Sequence, residues 1–155
     1  MGLDMYLSAE KFISGYDSDK DENFDKILDL FNLEHSDVEK SAIINITVGY
    51  WRKANAIHNW FVQNVQDGRD ECQRSYVSKE KLDDLKASCL LALNALNNND
   101  FDKVLEVLPP SNGCFFGTTD IDEYYKQDLQ KTVDLIDKCL SDKFKGYGFY
   151  YQSSW

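Results

Sequence analysis

The chain has 155 residues, of which 43% are apolar, and a formal net charge of −10 at pH 7. A chain of this length and composition can bury a full core as one domain, which excludes a wholly disordered protein. Its acidic balance repels phosphate backbones and anionic lipid surfaces, so we expect no direct nucleic-acid or membrane binding. It shows neither a basic, apolar leader nor an apolar run of membrane length, and we expect a cytoplasmic protein.

The charge is spread unevenly along the sequence. Residues 1–40 hold eleven acidic side chains and four lysines, whereas residues 41–66 hold no acidic side chain and two cations, Arg52 and Lys53. The cysteines are far apart and lack metal-ligand spacing, which predicts reduced and mostly buried thiols. They are Cys72, Cys89, Cys114 and Cys139.

The first half of the chain predicts two strands, each followed by a helix. Residues 1–14 alternate between apolar and polar side chains, as a half-buried strand does. Apolar residues recur at helical spacing through 24–33, which predicts a short helix. Residues 40–50 are β-branched or apolar at nearly every position, which is typical of a strand in the middle of a sheet. An apolar stripe through 51–65 then predicts a helix packed on that sheet.

The second half predicts further helices and a closing strand. Residues 73–77 favour a short strand, and Ser78 is placed to cap the helix that follows. Residues 101–108 predict a short helix or a turn. A longer helix is expected to begin at Asp120, with a glutamate three residues later as in a capping box. The aromatic stretch 145–155 closes the chain as a strand.

Strands near both termini and the middle, with helices between them, define the expected fold class. We predict a single α+β domain over residues 1–155, with an antiparallel or mixed sheet and helices packed mainly on one face. No internal repeat or low-complexity tract suggests a second domain.

The acidic segment "DSDKDENFDKIL" resembles a calcium-binding loop in its first residues. Asp17, Asp19 and Asp21 fall at loop positions one, three and five. Glu22 stands where the loop requires glycine, and Leu28 stands where it requires a bidentate carboxylate. We therefore expect a solvated acidic loop and no bound metal.

The segment "VGYWRKANAIHNW" carries the strongest functional signal. It runs from a strand into a helix, and it places two cations beside large aromatics at a helix start. Free backbone N–H groups at a helix start bind anions, and an arginine can add a bidentate clamp. We expect a ligand-binding site here for a phosphorylated molecule, although cations lying along the surface would explain the same pattern. The expected site residues are Tyr50, Trp51, Arg52, Lys53, Asn55 and His58.

The aromatic tail "GFYYQSSW" is the second stretch that suggests a functional role. A central or covered strand that completes the core explains it best, with Phe149 and Tyr151 facing inward by alternation. The same alternation presents Tyr150, Gln152 and Trp155 elsewhere, so we include these three among the candidate ligand-binding residues.

Four stretches together resemble a known group of proteins: "MGLDMYL", "VGYWRKANAIHNWFVQNVQDG", "LPP" with the following "FFG" and "DEYYKQDL", and "YYQSSW". They are similar to a family of small bacteriophage and prophage proteins that have no assigned activity. The resemblance implies a phage-encoded protein that works in the host bacterial cytoplasm, and it implies no catalytic residues.

These observations lead to three functional hypotheses. The first is a non-enzymatic binding protein for host takeover or counter-defence, which sequesters a phosphorylated nucleotide-type signal and needs no cofactor. The second is an acidic inhibitor that blocks a basic host protein such as a nuclease. Its partner-binding residues would be Asp17, Asp19, Asp21, Glu22 and Asp25. The third is a small hydrolase that uses an aspartate and His58; a homodimer is compatible with all three.

Overall fold

The computed structural model describes residues 2–15, 22–113 and 115–155. They form four strands, five α-helices and one short 3-10 helix, Asp142–Phe144. The strands are β1 (Asp4–Ser14), β2 (Ser41–Arg52), β3 (Ser75–Val77) and β4 (Gly148–Ser154). The helices are α1 (Glu22–Phe31), α2 (Asn55–Asn64), α3 (Lys79–Asn97), α4 (Phe101–Val107) and α5 (Glu123–Leu140).

The strands form one antiparallel sheet in the order β2-β1-β4-β3. The two strands nearest the chain ends, β1 and β4, therefore pair at its centre. The helices pack against one face, and this confirms the predicted α+β class. The same arrangement explains the aromatic tail, because β4 is a central strand with Phe149 and Tyr151 in the core.

Alternation along β1 sets the two faces of the sheet. Its odd-numbered residues from Leu3 to Ala9 are buried beneath the helices, and even-numbered residues such as Tyr6 face away from them. The predicted strand at 1–14 is confirmed in this region. The buried side chains of β1 join those of the helices in the main core.

Two predictions for residues 40–65 are wrong. β2 lies at an edge of the sheet and not in its middle. The helix after it begins at Asn55, because Trp51 and Arg52 continue the strand and pair with Met5 and Asp4 of β1. The backbone leaves the strand at Lys53, where φ is +60°.

The long helices begin at side-chain caps. The hydroxyl of Ser78 accepts a hydrogen bond from the N–H of Lys81 (3.2 Å), which confirms the predicted cap of α3. In α5 the cap is Asp122 and not Asp120: the Asp122 carboxylate accepts from the N–H of Tyr125 (3.0 Å). Asp120 instead bonds to the hydroxyl of Thr118 (2.5 Å) in the loop before the helix.

A smaller core lies apart from the main one. Ile13 at the end of β1 packs with Phe24 and Leu28 of α1, so α1 covers the far end of the β1–β2 hairpin. In the described part of the chain, no helix is long and apolar enough to cross a membrane.

Candidate functional site

The turn from β2 into α2 holds both cations of the acid-free segment. Arg52 and Lys53 are exposed, and the N–H of Lys53 donates to the carbonyl of Leu3 (2.8 Å). Ala54 follows at φ −76° and ψ 67°, and the N–H of Asn55 donates to the Lys53 carbonyl (2.9 Å). This geometry is an inverse γ-turn, which changes the chain direction within three residues.

The same turn leaves the start of α2 without a side-chain cap, because alanine occupies the cap position. Within residues 2–15, 22–113 and 115–155, no group accepts a hydrogen bond from the backbone N–H of Ala56 or Ile57. The first intrahelical bond runs from His58 to Ala54 (3.0 Å). Two backbone donors are therefore free at the positive end of the helix dipole.

Asn55 holds a loop against this helix start. Its side-chain nitrogen donates to the carbonyls of Phe116 (3.2 Å) and Thr118 (2.8 Å), and its side-chain oxygen accepts from the N–H of Ser111 (3.3 Å). Gly117 lies between the two carbonyls at φ +91°, where L side chains are strained, and a Cβ there would lie 3.2 Å from the Cβ of Lys53. Asn55 is thus buried and positions the loop.

A pocket of about 350 Å³ opens between this loop, the start of α2 and the first turns of α5. The turn between β2 and α2 and the first residues of α2 contribute Arg52, Lys53, Ala56 and Ile57 to its lining. The loop before α5 and the first turns of α5 contribute carboxyl groups and tyrosines: Asp120, Asp122, Asp128, Tyr124 and Tyr125. The lining of the pocket therefore combines cations, carboxyl groups and aromatic rings.

Asp128 is the most perturbed carboxyl of the pocket. Burial raises its pKa to about 6, although the nearby Lys131 ammonium acts in the opposite direction. Asp122, which caps α5, adds a smaller repulsion that also raises this pKa. The Asp128 carboxyl can therefore accept or donate hydrogen bonds near neutral pH.

Trp51 is fully buried and does not line the pocket. Its indole N–H donates to the hydroxyl of Thr132 (2.9 Å), which in turn donates to the carbonyl of Asp128 (2.6 Å). The expectation that Trp51 is a ligand-binding residue is therefore wrong, because its side chain does not reach solvent. Trp51 instead fixes the turn of α5 that carries Asp128.

His58 is also buried, and both of its ring nitrogens have partners. Nδ1 lies 2.7 Å from the Tyr151 hydroxyl and Nε2 lies 2.9 Å from an Asp70 oxygen. Because a carboxylate only accepts, Nε2 of the neutral ring carries the hydrogen and Nδ1 accepts from Tyr151. Burial raises the pKa of Tyr151, so this hydroxyl keeps its proton. The other Asp70 oxygen accepts from the indole N–H of Trp155 (2.9 Å), which joins the tail to the same network.

The remaining candidate residues lie on the helix-free face of the sheet. Tyr50 donates to the carboxylate of Asp4, and this bond raises its pKa. Tyr150 lies beneath the guanidinium of Arg74, 3.7 Å from the ring centroid, and Gln152 donates to the carbonyl of Cys72 (3.1 Å). The structure thus divides the expected site residues into three groups. Arg52, Lys53 and Asn55 line the pocket, and Trp51 and His58 are buried away from it. Tyr50, Tyr150 and Gln152 lie on the helix-free face of the sheet.

The acidic cluster is described only in part. Asp17, Asp19 and Asp21 lie outside the described residues, while Glu22 and Asp25 are exposed on α1. In the described segments, no group of three or more His, Cys, Asp or Glu side chains is arranged to hold a metal ion.

The sequence pattern did not predict the residues of α5 that line the pocket. Asp128 and Tyr124 lie about 70 residues after Arg52 in the chain, on a different helix. In the sequence, the acidic residues at the start of α5 are explained by their favourable interaction with the helix dipole, so they did not indicate a site. No protein-family model, no curated protein and no solved structure matches this chain.

Proposed function

We propose that this protein is a non-enzymatic binding protein whose pocket holds a phosphorylated, nucleotide-type small molecule. The observation that carries the proposal is one pocket whose lining combines two cations, two backbone donors that have no acceptor among the described residues, carboxyl groups and a tyrosine. A pocket of about 350 Å³ falls within the range that encloses small ligands.

The start of α2 supports binding of a phosphate. Among the described residues the N–H groups of Ala56 and Ile57 have no acceptor, and the helix dipole favours an anion at this position. Lys53 adds a positive charge beside Gly117 in the pocket lining, and Arg52, whose charge also acts on Tyr50, is the neighbouring cation.

The lining residues from α5 and its cap support recognition of a base. Carboxylates such as Asp122 and Asp128 accept hydrogen bonds from ring N–H and amino groups, and Tyr124 is 75% exposed at the pocket rim. An exposed tyrosine ring stacks on nucleobases without sequence preference. Three carboxyls also disfavour a ligand that is only anionic, so a ligand with both phosphate and base fits better than inorganic phosphate.

The phage setting belongs to the same proposal and depends on the resemblance of the sequence motifs. A binding protein of this kind would lower the free concentration of a nucleotide signal in the infected cell. The hydrolase alternative gains no support, because both nitrogens of His58 are occupied away from the pocket.

The test is calorimetry against a panel of linear and cyclic nucleotides, with the parent nucleosides and inorganic phosphate as comparisons. We expect a phosphorylated nucleotide to bind more tightly than its nucleoside. The double variant Arg52→Gln/Lys53→Gln should bind about 10- to 100-fold more weakly, since two charge-assisted contacts are lost.

A matched control removes two exposed lysines outside the pocket, Lys143→Gln/Lys145→Gln, with the same change of net charge. This control should bind like the wild type. The proposal fails if every nucleotide binds more weakly than about 1 mM, or if both double variants lose the same affinity.

A further inference from the structure

The two edges of the sheet differ in length and in charge. β3 has three residues, and Arg74 immediately precedes it. β2 has twelve residues, and residues 41–51 of it carry no charged side chain, although 28% of the whole chain is charged. Sheet edges that stay unpaired are usually blunted by short strands, charges or proline. β3 follows that rule and β2 does not.

The backbone of β2 is open along half of its length. On the side away from β1, no group in residues 2–15, 22–113 and 115–155 bonds to the backbone of 42–47. At the other end, the ammonium of Lys131 on α5 donates to the carbonyl of Tyr50 (2.5 Å). The open stretch is therefore bounded on one side by α5.

Apolar side chains line this open stretch. Ile43 is 64% exposed and Ile46 is 46% exposed. Phe12 of β1, which pairs with Ile43, is 63% exposed. A row of unpaired N–H and C=O groups beside apolar side chains is a template for another strand. Residues 42–47 therefore have both the hydrogen-bonding and the apolar surface of a strand that is paired on two sides.

We propose that β2 pairs antiparallel with β2 of a second copy of this chain, which joins two four-stranded sheets into one of eight strands. Antiparallel pairing of two identical edges about a two-fold axis is self-complementary. The uncharged strand brings no like charges into opposition, which most other surfaces of a chain with net charge −10 would do. In the dimer β2 occupies the central position that its composition predicts. This surface is distinct from the pocket and does not depend on the proposed ligand.

The net charge gives the dimer a diagnostic salt dependence. Two copies of charge −10 repel each other at long range, while the paired edges carry no charge. Salt therefore tightens the dimer, because it screens the repulsion: the Debye length falls from about 30 Å at about 10 mM to about 8 Å at about 150 mM. A complex with a basic partner would respond in the opposite direction.

The first experiment measures molar mass in solution by light scattering or sedimentation at about 100 µM. The wild type should have twice the mass of the 17.9 kDa chain and should dissociate on dilution, more readily at low salt. The variant Ile43→Lys/Ile46→Lys should be a monomer. The control Leu90→Lys/Leu91→Lys changes two similarly exposed side chains on α3, 46% and 55%, and should remain a dimer.

Hydrogen exchange tests the same interface without any substitution. Amides in 42–47 should exchange more slowly as the wild-type concentration rises, while those of β3 should show no such dependence. A wild type that stays at 17.9 kDa overturns the proposal. A dimer whose slowed amides lie outside 42–47 also overturns it. The same holds if Ile43→Lys/Ile46→Lys keeps the mass of a dimer.

Discussion

Asn55 is a polar residue at the start of α2, and its side chain is buried in the folded protein. Its side chain makes three hydrogen bonds to the backbone of the 111–118 loop, so it shapes the pocket from behind. Trp51 acts in the same way through Thr132. Lys53 and Asp128 also line the pocket, and their side chains make no such hydrogen bond within the part of the chain that the structure describes, so they are left to touch a ligand.

Asp128 gives a prediction about pH. Its pKa is about 6 in the folded protein and near 3.8 when unfolded, so between these values the folded state binds more protons. The free energy of unfolding therefore falls as pH rises from about 4 to about 6, and this penalty remains above pH 6. The variant Asp128→Asn lacks this titration, and its stability relative to the wild type should increase over the same interval and then level off.

Urea denaturation at four pH values between about 4 and about 7 measures this difference. Asp134→Asn, on the exposed side of the same helix, controls for the removal of one negative charge from α5. A stability difference for Asp128→Asn that does not change with pH would contradict the assigned pKa.

At the scale of elements, Gly49 allows α5 to approach β2 closely. A Cβ at this position would overlap the Cδ2 of Leu135 on α5 and would lie 3.3 Å from the Cβ of Leu7 on β1. The register of β1 and β2 shifts beside this contact, between Leu7 and Ser8. The strand thus bends where the helix packs on it, and the same helix carries the acidic half of the pocket.

The variant Gly49→Ala should lower the free energy of unfolding by about 1–3 kcal/mol, because the new methyl group overpacks this contact. Leu135→Ala alone should also destabilise, through the cavity it leaves. The double variant should lose less than the sum of the two, since each change relieves the other. Denaturation of all four proteins in this cycle measures the coupling, and strict additivity would refute the contact.

At the scale of the molecule, two cores of unequal size divide the structure. The main core joins both central strands to α2, α3 and α5, whereas the smaller one joins α1 to the end of the β1–β2 hairpin through Ile13, Phe24 and Leu28. Fewer buried contacts hold α1, so it should open more readily than α3.

The variant Leu82→Ala truncates a fully buried side chain of the main core, and it should speed amide exchange in α3 and leave exchange in α1 unchanged, because α1 opens while the main core stays folded. Leu28→Ala should speed exchange in both helices, because the globally unfolded state lacks the smaller core as well. Hydrogen exchange read by mass spectrometry distinguishes the two regions. Equal acceleration of α1 and α3 by Leu82→Ala would show instead that the molecule opens as one unit.

The sequence predicted most elements, because hydrophobic period and cap chemistry are local properties. The alternation in β1, the Ser78 cap of α3 and the aromatic strand β4 are all visible in a few neighbouring residues. The α+β class followed from their order. The helix predicted from Trp51 failed because an apolar stripe does not reveal a backbone reversal at Lys53.

Neither strand order nor the pocket could be predicted in this way. A β-branched, apolar composition predicts a central strand, and it does not distinguish coverage by the same sheet from coverage by a second chain. The composition of β2 therefore could not predict its position at the edge. Arg52 and Asp128 line the same pocket, and Trp51 joins the end of β2 to α5 through Thr132. Local residue patterns were enough to predict most of the elements and the two cations that line the pocket. The acidic groups that line it with them depend on long-range packing between β2, α2 and α5, which no short stretch of the chain contains.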